Sequence, residues 1–471
     1  MRQHRKLVSY AVIITFLFIP IQVILSLIFN YYLAKNVALD VLNAWYMFFA
    51  LISLFSLLEF SYPILAINFF NSYQGNCKGA LSFFIKKSLG VVIPLQIIFV
   101  VIYSLFVNPL FIYFGMGLVV RSISNIINAC VYAKQNIIID KVYRFLYAII
   151  MPTAFLFLFY HSDKNIDLYD LTLVWFLSSL FCLIYSLSFL LLKHKKSVNR
   201  SEKSFHLPFK YNLKLFFTVF PAIFIYTLSI YYLKIFGSES SSSSTIIYGF
   251  FLQIFNVYNL IIILVASYLM PTLSKRFHDG VDVIPLTLKL LDISVLISVI
   301  STSFVALLGI PVAEYILKGK IDVISYYYIV AIIIIFYIET CQVILTSIGT
   351  AIGIYDFHRQ SIISAVMVLI LSCFLIPHYN AEGLMYSIII SQFFTCFIYN
   401  PKRVINKIGL DRVNYIKRLM VHFLFMLTLI FMGLYFQNDD ILPRVVILSF
   451  ITLIGVCFLY PNVKKIIVDF L

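Results

Sequence analysis

A chain of 471 residues that is 62% hydrophobic and only 12% charged departs far from the roughly 25% charged content of a soluble domain. Apolar runs recur from end to end, which leaves no room for a soluble domain and makes this an integral membrane protein. The net charge of +15 is distributed over many short segments, so it excludes a single nucleic-acid-binding face.

A helix needs about 20 apolar residues to cross roughly 30 Å of hydrocarbon. The sequence holds about fourteen such spans, at residues 7–29, 41–63, 88–107, 109–131, 145–160, 169–192, 214–236, 245–270, 287–310, 325–347, 360–378, 383–399, 417–436 and 441–461. The opening MRQHRKLVSYAVIITFLFIP has no A-x-A-like cleavage site and reads as the first span. Placing Arg2, Arg5 and Lys6 inside puts nearly all the basic residues of later loops on the same face. Of the 35 Lys and Arg, only Lys35, Lys164, Lys234, Lys318, Lys320 and Arg444 fall outside, and Arg121 lies within the fourth span. Both termini are therefore predicted to be cytoplasmic. The seven Cys and eight His show neither a C-x-x-C nor a ligand spacing, so no metal site and no disulfide is assigned.

The longest polar interruption, residues 193–213, reads as a basic cytoplasmic linker. It separates an N-terminal six-span bundle, 1–192, from a C-terminal six-span bundle, 214–400, and leaves 401–471 as two additional spans. The halves are of nearly equal length and each holds an even number of spans, so both enter the membrane in the same direction. That is the signature of a parallel repeat about an axis along the membrane normal. The fold class predicted is thus all-α, two six-helix bundles in pseudo-repeat around a central cavity plus two C-terminal helices. YYLAK at 31–35 and YYLK at 231–234, ending the first and seventh spans, are traces of the repeat.

Ionisable and polar residues inside spans point to the working parts. A charge at mid-bilayer costs about 2.5–3.5 kcal/mol on insertion scales and normally faces the bundle interior. Glu59 lies in FSLLEFSYP, and Pro63 four residues later would deprive the carbonyl of residue 59 of its helical partner. The pair reads as a cation or proton site at a kink, or as a carboxylate bonded to a neighbouring helix. In the fourth span Arg121, Ser124, Asn125 and Asn128 share one helical face. An arginine among amides and hydroxyls suits an anion clamp, since its planar fork matches phosphate; an internal ion pair with Glu59 or Glu339 is the alternative. The tenth span carries Glu339, Gln342, Thr346 and Thr350 on one face, and the first carries Thr15, Gln22, Ser26 and Asn30. Such stripes read as a hydrophilic cavity rather than as isolated polar glue, which needs one or two residues per helix. Asp292 and Lys234 are further candidate cavity charges near span ends, and Asp140 with Arg144 reads as a local ion pair.

The span count, the basic linker and the second span WYMFFALISLFSLLEFSYPILAINFFNSY resemble the Wzx-type polysaccharide flippases of the superfamily that also holds multidrug exporters and lipid II flippases. Glu59-Phe60 match an acidic-Phe-Gly pattern of that family, with Ser61 in place of the glycine, and SYLMPTLSK at the eighth span is also similar. The resemblance implies a flippase without enzymatic activity and without cofactor, working in the bacterial inner membrane. Its cargo would be an undecaprenyl-diphosphate-linked oligosaccharide, an O-antigen or capsule precursor. Arg121, Ser124, Asn125, Asn128, Gln22, Ser26, Gln342 and Thr346 would meet the diphosphate and sugars, and Glu59, Glu339, Asp292 and Lys234 would supply ion coupling by H+ or Na+ or other cavity charge. A monomer is implied, among membrane lipids, with a polysaccharide polymerase and a chain-length regulator as partners. Two rivals remain: a multidrug or organic-cation antiporter, favoured by acidic residues without a compensating arginine, and a polysaccharide polymerase, which needs a larger outer loop than any here.

Overall fold

The computed structural model describes residues 18, 21–22, 24–59, 62–63, 65–66, 78–133, 137–161, 166–193, 209–237, 241–317, 325–354, 357–436 and 441–470. Arg2, Arg5, Lys6, Thr15, Phe60, Ser61, Cys77, Lys164, Lys318, Lys320 and most of the linker (194–208) lie outside them, as does the Asp140 side chain. The chain is nearly all helix, and among the described residues the β structure amounts to an isolated parallel bridge between Val37 and Ile166. Nine helical segments among these residues are long and apolar enough to cross a membrane. The chain is a multi-pass membrane protein.

The helices follow the predicted spans in order: α1 (24–36), α2 (Leu39–Leu58), α3 (Lys78–Phe106), α4 (Phe111–Ala133), α5 (Ile137–His161) and α6 (Leu168–Lys193) come first. Then come α7 (Phe209–Tyr226), the short α8 (Ile230–Phe236), α9 (Ser241–His278), α10 (Ile284–Ile316) and α11 (Tyr326–Ala351). The last are α12 (His358–Gln392), a π turn (Phe393–Phe397), α13 (Ile398–Ile408), α14 (Arg412–Tyr435) and α15 (Ile441–Phe470). Several helices outrun their apolar windows; α3 starts at Lys78 rather than near residue 88. Hydropathy marks only the hydrocarbon-facing part of a helix, not the turns that continue beyond it.

Two compact units are present, Met1–Phe220 and Pro221–Leu471. In the first, α4 packs closely on α6. Trp175 stacks on Phe114 with ring centres 4.7 Å apart, and Trp45 meets both rings edge-on. Such aromatic pairs contribute about 0.5–1.5 kcal/mol beyond area burial. Gly117 permits this approach, because a Cβ there would lie 2.6 Å from the Trp175 ring. The outward faces are inverted relative to a soluble protein. On α3, Val92, Gln96, Val100 and Tyr103 are buried while Leu95, Ile98, Ile102 and Leu105 are exposed, a stripe that only lipid would cover without cost.

In the second unit, α10 and α11 form the platform on which α9, α12, α14 and α15 pack. Of the two C-terminal spans, α14 docks by close backbone approach and a hydroxyl bond. A Cβ at Gly433 would strike the Ala306 carbonyl, and the Tyr326 hydroxyl donates to the Ile430 carbonyl at 3.0 Å.

α12 is two limbs joined at Asn380, the non-glycine residue with positive φ among those described (50°, ψ −127°). This reverses the chain within one residue, and Gly383 follows it because a Cβ there would lie 2.3 Å from the Leu375 carbonyl oxygen. Side chains tolerate that backbone region poorly, at about 1–3 kcal/mol. Asn380→Gly is therefore expected to raise the thermal unfolding midpoint in detergent, by about 1 kcal/mol of stability. A lowered midpoint would contradict the strain.

Candidate functional site

Among the described residues each unit buries one carboxylate, Glu59 at the end of α2 and Glu339 beside a break after α7. In the first unit α2 stops at Leu58 and Glu59 caps it. Sequence reasoning expected a bent helix with a freed carbonyl at Glu59. Instead the helix ends there, and the Glu59 carbonyl accepts a hydrogen bond from the Tyr62 N–H at 3.0 Å. The carbonyl that Pro63 was expected to free is thus satisfied locally by the backbone.

The Glu59 side chain is buried and accepts from Asn125 Nδ2 at 3.0 Å, and the Tyr143 hydroxyl donates to Asn125 Oδ1 at 3.1 Å. Gln96 of α3 donates to the Phe55 carbonyl (3.1 Å) and to the Ser122 hydroxyl (2.8 Å), tying α2, α3 and α4 together around the acid. Arg121, four residues before Asn125, is half-buried and does not pair with Glu59. Its guanidinium lies over the Tyr147 ring at 4.1 Å and 6.0 Å from the Trp175 ring. Among the described residues it has no ion-pair partner. Two aromatic rings hold the cation by their quadrupole attraction, and the Tyr147 hydroxyl is also a hydrogen-bond partner of the guanidinium.

In the second unit α7 breaks after Tyr226, where the sequence predicted a continuous seventh span at 214–236. Pro221 precedes the break, and residues 227–229 turn before α8. The carbonyl of Tyr226 accepts from the Ser229 hydroxyl (3.0 Å) and the Tyr248 hydroxyl (2.8 Å), which is how a broken helix survives in lipid. The break aims the Tyr226 hydroxyl at Glu339, to which it donates, and Gln342 Nε2 donates to the same carboxylate. Gln342 Nε2 also reaches Gln392 Oε1 at 3.2 Å. Tyr226 lines an apolar pocket with Phe251, Phe255, Ile332 and Met385, so its ring is half in oil and its hydroxyl on the acid.

A separate buried chain crosses α9, α10, α11 and α14. Tyr258 donates to Ser298 (3.2 Å) and bonds Thr340, and His422 meets Ser298 at 3.1 Å and the Cys341 thiol at 3.9 Å. It fastens α14 to the platform.

The predicted residues therefore divide. Glu59 with Asn125, and Glu339 with Gln342, are brought together. Ser124 is buried but its hydroxyl bonds the Val120 carbonyl of its own helix at 3.0 Å; Thr346 likewise bonds Gln342 O (2.8 Å) and Thr350 bonds Thr346 O (2.8 Å). The hydroxyl stripes are thus locally satisfied, as Ser and Thr in membrane helices commonly are. Asn128 is buried, Gln22 and Ser26 are half-buried, and Asn30 bonds the Ser26 carbonyl at 2.8 Å. Asp292 is not a free cavity charge: it pairs with Arg418 of α14, both side chains partly exposed. Lys234 sits exposed in the last turn of α8. An exposed pair is worth about 0–1 kcal/mol, so Asp292→Asn is expected to leave both unfolding midpoint and transport nearly unchanged; a transport-dead variant with normal stability would return Asp292 to the coupling set. Sequence reasoning missed Gln96, Tyr143, Tyr147, Tyr226 and Gln392. Pro221 was the visible signal for Tyr226, and the lone glutamine in PLQII was the signal for Gln96.

No protein-family model matches the sequence, and no curated protein does. Solved structures do. A lipid II flippase MurJ in an inward closed conformation matches at 14% identity over 97% of this chain and 100% of its own, TM-score 0.64. An inward-facing multidrug resistance MATE transporter of the MOP superfamily matches at 14% identity over 82% and 94%, TM-score 0.63. A MOP superfamily transporter from Pyrococcus furiosus, described as having a binding pocket of reversed polarity, matches at 12% identity over 86% and 96%, TM-score 0.59. The chain has the fold of the MOP-superfamily transporters, shared by a lipid II flippase and by MATE exporters.

Proposed function

We propose that this chain is a flippase that carries undecaprenyl-diphosphate-linked oligosaccharide, an O-antigen or capsule precursor, from the inner to the outer leaflet of a bacterial cytoplasmic membrane. The observation that carries the reading is Arg121: a guanidinium inside a membrane span, held by aromatic rings and without an ion-pair partner among the described residues. A diphosphate would complete it, since its oxygens match the fork bidentately, and a charge taken into hydrocarbon uncompensated would cost tens of kcal/mol by Born-type arguments. Amides such as Asn128 and Gln22 would serve sugar hydroxyls. The polyprenyl tail would stay in lipid. Likeness in fold to a protein named as a lipid II flippase supports a lipid-linked cargo.

Glu59 and Glu339 would couple transport to H+ or Na+, each changing charge between the two access states. The helix break beside Glu339 supports this, because interrupted membrane helices commonly frame substrate and ion sites. The equal halves of the sequence support a duplicated six-span unit, 1–192 and 214–400, joined by the basic linker 193–213, with 401–471 added. A polysaccharide polymerase and a chain-length regulator would act on the delivered units.

The second reading is an organic-cation antiporter. The two buried carboxylates and the MATE-like fold favour it. Deleting the gene in the native host and extracting undecaprenyl-linked sugars separates the readings. Complete repeat units retained on the cytoplasmic leaflet support the flippase. Unchanged lipid-linked sugars with altered sensitivity to organic cations support the antiporter, and single units stranded on the outer face point to a polymerase.

A further inference from the structure

The second limb of α12, the π turn and α13 bury a column of polar side chains that the flippase reading does not use. Gln392, Cys396 and Asn400, at 3%, 4% and 3% exposure, follow one another at four-residue intervals. On an α-helix residues eight apart have drifted by about 80°. The π turn at Phe393–Phe397 takes more residues per turn and removes that drift, so all three stay on one buried stripe.

This stripe begins at the carboxylate network. Gln392 Oε1 accepts from Gln342, which also donates to Glu339. One turn on, the Cys396 thiol lies against the side chains of Thr395, Ser361 and Asn400 and within electrostatic reach of Glu339. The column ends beside Lys402 and Arg403, which lie on the face predicted to be cytoplasmic. Two of its buried oxygens, Gln342 Oε1 and Asn400 Oδ1, have no hydrogen-bond partner among the described residues. Thr395, Ser391 and Ser364 beside the column are satisfied within the protein. Exchanging the Gln342 amide atoms would leave its oxygen facing a carboxylate, so the arrangement is not a matter of amide assignment. Buried amide oxygens are nearly always bonded, to water where no protein donor is in reach.

We propose that α11, the two limbs of α12 and α13 enclose a file of water running from Glu339 past Gln342, Gln392 and Cys396 to Asn400 and the Lys402/Arg403 end, and that it is the route by which protons reach Glu339 from that face. The inference rests on the coupling role given to Glu339 for its purpose, but its test does not use transport. Silver ion is close to sodium in size and binds a thiolate, with the thiol proton passing to water. Cys396 on the column, 4% exposed, and Cys341, 2% exposed and bonded to His422, are two buried thiols to compare in the unaltered chain. Membrane vesicles of either orientation would be exposed to silver nitrate, and after unfolding the still-free thiols alkylated and counted by mass spectrometry.

The expected result is protection of Cys396 at least tenfold faster than Cys341 when silver is added on the Lys402/Arg403 face. Asn400→Leu is expected to slow Cys396 at least fivefold and leave Cys341 unchanged. Equal rates at the two thiols, faster reaction from the opposite face, or insensitivity to Asn400→Leu would overturn the water file. Loss of transport in Arg121→Ala, or its retention, would bear on the flippase alone.

Discussion

Arg121→Ala is expected to lower outward movement of the lipid-linked diphosphate by about 10- to 150-fold while the chain still inserts and folds. The figure follows from charge-assisted hydrogen bonds worth about 1.5–3 kcal/mol. Insertion should survive, because what remains around residue 121 is the apolar packing of Tyr147, Trp175 and Phe114, and removing a charge from a span lowers its insertion cost. Arg121→Lys should fall between the two: it keeps the charge but loses the planar fork and part of the aromatic stack. Quantitative membrane recovery combined with assay of lipid-linked sugar on the outer leaflet checks both variants. Full export by Arg121→Ala would remove the anion clamp.

Glu339 carries the second large effect, and it separates coupling from stability. Glu339→Gln keeps an acceptor for the Tyr226 hydroxyl, so it should fold normally and move cargo without dependence on an imposed proton or sodium gradient. Glu339→Leu removes the acceptor of the Tyr226 hydroxyl and one of the two acceptors of the Gln342 amide. Each buried donor left unsatisfied costs about 1–3 kcal/mol, so this variant should unfold at markedly lower temperature in detergent. Adding Tyr226→Phe to it removes one of the orphaned donors and should recover part of the loss. Failure of the second change to recover any stability would mean that Tyr226 is not held by Glu339.

The membrane fold was legible because hydrocarbon thickness imposes a length that sequence cannot hide. Spans such as 41–63 and 325–347 overlie α2 and α11, and the outline erred where apolarity continues past a break. The seventh span looks continuous because Thr227, Leu228 and Ser229 are no more polar than residues inside helices. Only the pattern of hydroxyl bonds to the Tyr226 carbonyl shows that the helix stops. The spans at 360–378 and 383–399 were separated correctly by the short HYNAEG turn, whose reversal depends on Asn380 and Gly383.

The site was legible residue by residue and not in its pairings. Glu339 and Gln342 lie three apart on one helix, so their contact could be read from spacing. Glu59 and Asn125 are 66 positions apart, and Tyr226 and Glu339 are 113 apart; no local periodicity encodes such contacts. Arg121 was identified from its position within a span, but an ionic partner and an aromatic cradle are equivalent ways of holding a buried guanidinium. The Tyr147 and Trp175 rings decide between them. The Ser124, Thr346 and Thr350 hydroxyls bond carbonyls of their own helices, a pairing that one-face spacing does not reveal.

The most direct measurement places the purified protein in liposomes carrying undecaprenyl-diphosphate oligosaccharide and follows how fast sugar in the inner leaflet becomes open to an externally added glycosidase. Wild-type protein is expected to expose nearly all the sugar quickly, and Arg121→Ala to expose the outer half at once and the inner half about 10- to 150-fold more slowly. Wild-type vesicles in which the inner half stays protected, while an organic cation is moved against a proton or sodium gradient, would contradict it.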